Sequence, residues 1–159
     1  MKLIFAFLLL MLSVKLSSAQ TGYFDKQGKD LSSFLKGKMH HPISIMDNCQ
    51  MPFTYVKFKI TKDNTVDSLI VTNSSSPDVQ NEIVRVMEFT NGYWNVEQTQ
   101  GKWLIVPIVF HTEFNKNARG RGCDFKKILA DQSKEMRYEN KEPNAVYFPL
   151  VMIYGEWKN

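Results

Sequence analysis

Residues Tyr55 to Thr72 read YVKFKITKDNTVDSLIVT, and this segment predicts two strands joined by a turn. Residues 55–60 alternate between apolar and polar, which is typical of a half-buried strand. The apolar face consists of Val56, Phe58 and Ile60. Residues 61–65 are polar and predict a turn, and residues 66–72 are rich in β-branched side chains. Strand, short turn and strand together predict an antiparallel hairpin.

A helix and a third strand are predicted after the hairpin. Ser76 stands at a capping position, Pro77 suits the first helical turn, and Asn91-Gly92 is a stop signal. The apolar face of this helix is Val79, Ile83, Val86 and Met87. The third strand is the apolar run Trp103, Leu104, Ile105, Val106, Pro107, Ile108, Val109 and Phe110. Since proline cannot donate to a ladder, we expect this strand to be irregular at Pro107 or to lie at a sheet edge.

The flanking segments complete the predicted organisation. Residues 20–33 are polar and predict a flexible lead-in. Phe125 to Met136 has the spacing of an amphipathic helix, and Ala145 to Tyr154 alternates like a strand interrupted by Pro149. The predicted class is therefore α+β. We expect a β-β-α-β split sheet, in which an antiparallel three-stranded core has a helix on one face. We expect residues 115–159 to add a helix and a strand that pack on the domain of residues 34–114.

The N-terminal residues predict export. Lys2 precedes an apolar run from Leu3 to Val14, and the small residues before Gln20 form a cleavage site. A membrane span needs about 20 apolar residues, and this run has 12. We expect residues 1–19 to be a cleaved signal peptide and the mature chain to be periplasmic or secreted. The alternative is an uncleaved anchor in the inner membrane.

Charge says little about partners. The chain has 20 basic and 16 acidic residues, and Lys2 and Lys15 belong to the predicted signal, which leaves 18 basic residues in the mature chain. A nucleic-acid binder normally carries a dense basic stripe, and the sequence shows none. We therefore expect no nucleic-acid partner.

Two cysteines, Cys49 and Cys123, belong to a chain predicted to reach an oxidising compartment. A structural disulfide is the default interpretation there, and two unpaired buried thiols are the alternative. In a split sheet the first strand runs antiparallel to the last. Cys49 precedes the first and Cys123 follows the last, which predicts that both lie at one end of the sheet.

The sequence lacks the motifs of common enzymes. It contains no nucleophile elbow, no paired-histidine zinc motif and no phosphate-binding loop. The adjacent pair His40-His41 has no further ligands at a metal-binding spacing. We expect a non-enzymatic protein with no metal, no cofactor and no small-molecule substrate.

The order of these elements resembles the C-terminal domain of TonB, in the form common in Bacteroidetes-type envelope proteins. The resemblance covers Phe34 to Phe114. It rests on His41-Pro42, the first strand with its Lys62-Asp63 turn, Ile83 to Met87 in the helix, and Gly101-Lys102 before the last strand. It implies a domain that grips a protein segment, such as part of an outer-membrane receptor, by adding it as a strand to its sheet edge.

Two departures from that family limit what the resemblance implies. The chain has neither a long proline-rich spacer nor, if the signal is cleaved, a membrane anchor, and it carries the extra residues 115–159. We therefore expect an exported interaction module of the bacterial cell envelope. The alternative is a TonB-type energy transducer that keeps its N-terminal anchor. We further expect Ala145–Tyr154 to pair beside Trp103–Phe110 and to occupy the receptor-binding edge in cis; packing of this segment on the sheet face is the competing arrangement.

Overall fold

The structure is a computed structural model that describes residues 22–47, 50–72, 76–113 and 142–156. Its helices are α1 (Leu31–Lys38), α2 (Ile43–Asp47), α3 (Pro77–Glu88) and α4 (Val96–Thr99). Its strands are β1 (Phe53–Ile60), β2 (Val66–Thr72), β3 (Leu104–Glu113), β4 (Val146–Tyr147) and β5 (Val151–Glu156). The predicted α+β class is confirmed. Cys49, Cys123, the predicted signal peptide and the predicted helix Phe125–Met136 lie outside the described residues.

The described strands form one mixed sheet in the order β2-β1-β3, with β4 and β5 following each other along the far side of β3. The pairs β1–β2 and β1–β3 are antiparallel. The short strands β4 and β5 both run parallel to β3. The sheet therefore has the predicted antiparallel core and two further strands from the C-terminal tail.

The hairpin of β1 and β2 contains an extra residue in β2. Lys57 is opposite Ile70, but Lys59 is opposite Asp67, so two residues of β2 face one residue of β1. Ser68 lies at this bulge with φ of 54°, in the left-handed region. Asn64 in the turn also has a positive φ, and its side chain bonds the backbone of Trp94. The polar turn residues thus connect the hairpin to the chain after α3.

Helix α3 covers one face of the sheet. It begins at Pro77 with Ser76 as N-cap, although the Ser76 side chain does not make the capping bond. All four predicted apolar positions are buried, which confirms that face of the helix. The helix ends at Glu88, earlier than the predicted stop, because residues 89–92 form a turn that closes with Gly92 at φ of 83°. The four buried residues of α3 pack on the even-numbered residues of β1 and β3.

The predicted flexible lead-in, residues 20–33, includes residues that pack on the domain. Phe24 is buried, and its ring lies 4.9 Å from that of Trp94. Backbone bonds join Asp25 N–H to the Tyr93 carbonyl and Asn95 N–H to the Tyr23 carbonyl. Residues 22–30 therefore pack against the domain, because Phe24 is part of the core and Tyr23 packs against that core. Within the described residues no helix is long and apolar enough to cross a bilayer.

Candidate strand-binding edge

The outer side of β3 is the backbone edge on which the resemblance places a partner strand. The carbonyls of Trp103 and Ile105 accept bonds from Val146 and Phe148 of the tail, at 2.8 Å and 2.9 Å. Phe110 N–H instead bonds the Pro52 carbonyl, on the side of β1. Since backbone groups alternate in direction along a strand, the odd-numbered residues of β3 present their N–H and C=O groups to the tail. We call these groups the acceptor edge.

Strand β3 is thus not an outer strand of this sheet. Because Pro107 lacks an N–H group, the sequence predicts either an irregular strand at Pro107 or an edge position, but β3 lies between β1 and the tail strands. Proline is tolerated because its missing donor would point toward the tail, where the ladder is already interrupted. The pairing changes from Ile105 with Tyr147 to Ile108 with Val151, so the tail has one residue more than β3 across this gap. The gap contains Pro149, as the sequence predicted for the interruption.

The side chains of the predicted edge strand point to two faces. Leu104, Val106, Ile108 and Phe110 are fully buried and belong to the main core under α3. Ile105 and Val109 belong to a second apolar cluster on the opposite face, together with Phe53 and Tyr55. The strand can therefore offer its backbone to a partner, whereas most of its side chains are already used for packing.

The start of the tail is held by a charged contact. Glu142 binds the ammonium group of Lys57, and both side chains are largely buried. The Lys57 ammonium also lies 4.1 Å from the centre of the Trp103 ring, and that of Lys59 lies 4.4 Å from it. Cations over an indole ring are attracted to its negative face. Trp103 is thus half-buried under two lysines, whereas Trp94 is a core residue.

The end of the tail rests on His41. The ring of His41 lies edge-on to Phe110, with 5.8 Å between the ring centres. Its Nε2 is 3.2 Å from the Thr112 hydroxyl, and its Nδ1 is 3.3 Å from the Pro42 carbonyl. Burial lowers the pKa of His41, the bond to the Pro42 carbonyl opposes this, and the nearby His111 lowers the pKa further. His41 is therefore held mainly as a neutral ring beside β5.

Gly155 lies directly on this ring. A Cβ atom added to Gly155 would lie less than 3 Å from Cγ and from two further atoms of the His41 ring. The backbone of Gly155 does not require glycine, since its φ is outside the left-handed region. Glycine stands at position 155 because the His41 ring fills the space that a side chain there would occupy. No local pattern in the sequence indicates this contact, since His41 and Gly155 are far apart along the chain.

A second feature, on α3, is a shallow depression of about 230 Å³. It is lined by His40, Pro42, Asp78, Asn81, Glu82 and Arg85. Arg85 binds both carboxylate oxygens of Glu82, at 2.6 Å and 2.8 Å, and also donates to the Lys38 carbonyl. Because these charges neutralise each other and fasten α3 to the end of α1, the depression is a structural junction.

In residues 22–47, 50–72, 76–113 and 142–156, no three histidine, cysteine, aspartate or glutamate side chains lie close enough together to hold a metal ion. His40 and His41 point to different partners, Glu82 and Thr112 respectively. Comparison with known protein families, curated proteins and solved structures finds no match to this chain.

Proposed function

We propose that this chain is an exported, non-enzymatic interaction module of the bacterial cell envelope, which binds a protein segment as an added β-strand. The observation that carries the proposal is the ladder between β3 and its own tail. An unpaired strand edge attracts other chains, and proteins usually cover it. Here the cover is a separate, C-terminal piece of the same chain, so the acceptor edge already works as a strand-binding surface in cis.

The pairing of the tail is of a kind that a partner could replace. It is parallel, which is slightly less stable per residue than antiparallel pairing. It consists of a two-residue strand and a six-residue strand, separated by the gap at Pro149. A partner strand would gain main-chain hydrogen bonds with the acceptor edge, as in other cases of strand addition. The tail would then be a built-in competitor that sets how tightly the partner must bind.

A pair of proline variants tests the acceptor edge. Val109 lies opposite Met152, and in a parallel ladder a residue bonds the neighbours of the one it faces. Ile153→Pro therefore removes a donor to β3, whereas Met152→Pro removes an N–H that points away from β3. We expect the Ile153 variant of the full chain to bind an added peptide of residues 145–157, and the Met152 variant to bind it much more weakly.

Amide exchange reads out the result. Peptide bound at the edge would restore protection of the Ile105 and Val109 amides in the Ile153 variant. If that variant keeps its helical and β-sheet circular dichroism but gains no protection at millimolar peptide, β3 is not an acceptor edge.

Export is tested separately, by the intact mass of the protein from its native host. A mass that still includes residues 1–19 would favour the anchored transducer instead.

A further inference from the structure

The contact between His41 and Gly155 limits which strands the acceptor edge can take. We propose that the His41 ring makes this edge selective for a segment with glycine opposite Thr112, so that an accepted partner strand follows the pattern aliphatic-x-aliphatic-x-glycine. This inference rests on the proposed function, since it names the kind of segment that the same edge would bind. The tail itself, Val151-Met152-Ile153-Tyr154-Gly155, has this pattern.

The aliphatic positions follow from the core. Val151 and Ile153 are buried and belong to the cluster under α3. Their neighbours Met152 and Tyr154 face the other side of the sheet, where Tyr154 is 56% exposed. Successive side chains alternate between faces, so a replacement strand in the same register would need apolar residues at the first and third positions only. The second and fourth positions tolerate variation.

The glycine position follows from the rigidity of the ring. A clash with the far end of a flexible side chain is relieved by a rotation, but Cγ of His41 is fixed close to the backbone. The ring is further held between the edge of Phe110, the Thr112 hydroxyl and the Pro42 carbonyl. Any side chain opposite Thr112 would have to displace this ring or move the strand away from β3. Selectivity therefore comes from steric exclusion.

A double-mutant cycle in the full chain tests the steric contact without any partner. We expect Gly155→Ala to speed amide exchange at His111 about tenfold or more, since overpacking a filled site is costly. His41→Ala should remove most of that effect, so that the double variant exchanges within about threefold of His41→Ala alone. His41→Phe keeps a ring and should not rescue. Gly37→Ala is the matched control, because an added Cβ there meets nothing within 4 Å.

The same substitutions in an added peptide test the selectivity. The probe is the peptide of residues 145–157, bound to the Ile153→Pro variant of the full chain. Replacing its glycine by alanine should weaken binding at least tenfold, and adding His41→Ala to the protein should restore it. If His41→Ala does not rescue Gly155→Ala in cis, the selectivity proposal fails whatever the peptide does. If the cycle behaves as expected but neither peptide binds, the proposed function fails and the contact is only structural.

Discussion

Pro107 of β3 lies opposite the interruption in the tail that contains Pro149. The pairing of Leu104 with Val146 and that of Ile108 with Val151 differ in register by one residue, so the tail bulges at this level. Each proline lacks an N–H group, and both therefore stand where the ladder is already incomplete. The sheet accepts a proline in the internal strand β3 because the missing N–H group of Pro107 would point toward the tail, where the ladder is interrupted.

This placement predicts that Pro107 is replaceable. We expect Pro107→Val to change the free energy of unfolding by less than about 1 kcal/mol, since no ladder bond with β1 depends on residue 107. Val106→Pro is the contrasting variant, because Val106 lies opposite Val56 and directs its N–H toward β1. It should cost roughly 2–4 kcal/mol through a lost bond and a stranded buried carbonyl. Urea unfolding measures both, and equal losses would contradict the assigned direction of the backbone groups.

The contact of Lys57 with Glu142 predicts a salt-dependent hold on the start of the tail. We expect Glu142→Gln to weaken this hold by about 1 kcal/mol, the upper range for partly exposed ion pairs. The amides of Val146 and Phe148, which bond to the acceptor edge, should then exchange about fivefold faster at low salt. The difference from the native protein should shrink as salt is added.

Asp63→Asn is the control for this second prediction, because Asp63 is exposed in the hairpin turn. Like Glu142→Gln, it removes one negative charge, but it leaves the Lys57–Glu142 pair intact. An effect of Asp63→Asn on the Val146 and Phe148 amides as large as that of Glu142→Gln would show that net charge, and not the ion pair, governs the tail.

How far the sequence predicts this structure depends on the distance between interacting residues. The hairpin, α3 and β3 are visible as local periods, and Val79, Ile83, Val86 and Met87 are buried as their spacing predicts. The pairing of Lys57 with Glu142 joins residues 85 positions apart and leaves no local pattern. The burial of Phe24 is not predictable from the sequence for a related reason, since the two adjacent aromatic residues Tyr23 and Phe24 in a polar stretch form no period.

The candidate site follows the same rule. The alternating tail segment and its break at Pro149 were visible, because both are local properties of the chain. The position of Gly155 on the His41 ring was not, because a glycine near a chain end predicts flexibility as readily as close packing. In the sequence, His41 is only one of two adjacent histidines, and the fold alone distinguishes it from the exposed His40.

The junction at Glu82 predicts sensitivity to acid. Burial alone would raise the pKa of Glu82, but the hydrogen bonds from Arg85 and from the His40 N–H lower it below the ordinary value of 4.5. A carboxylate with a lowered pKa in the folded state stabilises the protein above the unfolded pKa, and this contribution is lost as the pH falls below 4.5 toward the folded pKa. We expect Glu82→Gln to be less stable than the native protein at pH 7 and to lose less stability on acidification.

Glu88→Gln is the matched control for Glu82, since Glu88 is on the same helix and exposed. Urea unfolding at neutral pH and at a pH below 4.5 supplies the four comparisons. If Glu82→Gln and Glu88→Gln lose stability equally on acidification, the Glu82–Arg85 junction does not contribute to the acid response.

The last prediction concerns His41 and the closure of the tail. Its pKa is lowered from 6.5 in the folded protein, chiefly by burial and also by repulsion from His111, with the Pro42 carbonyl opposing both. A proton then binds more tightly once the tail has moved away, so the closed state keeps its full stability above pH 6.5 and loses stability as the pH falls below that value. We expect faster opening at pH 5.5 than at pH 7.5.

Exchange at the His111 amide, corrected for the intrinsic effect of pH, measures this opening. His41→Gln cannot be protonated in this range and should lose most of the pH dependence, whereas His40→Gln should retain it because the His40 side chain is 82% exposed. His111→Gln should retain part of it, since burial of His41 remains the larger cause. If His41→Gln opens with the same pH dependence as the native protein, His41 does not control the tail and His111 or a carboxylate becomes the candidate.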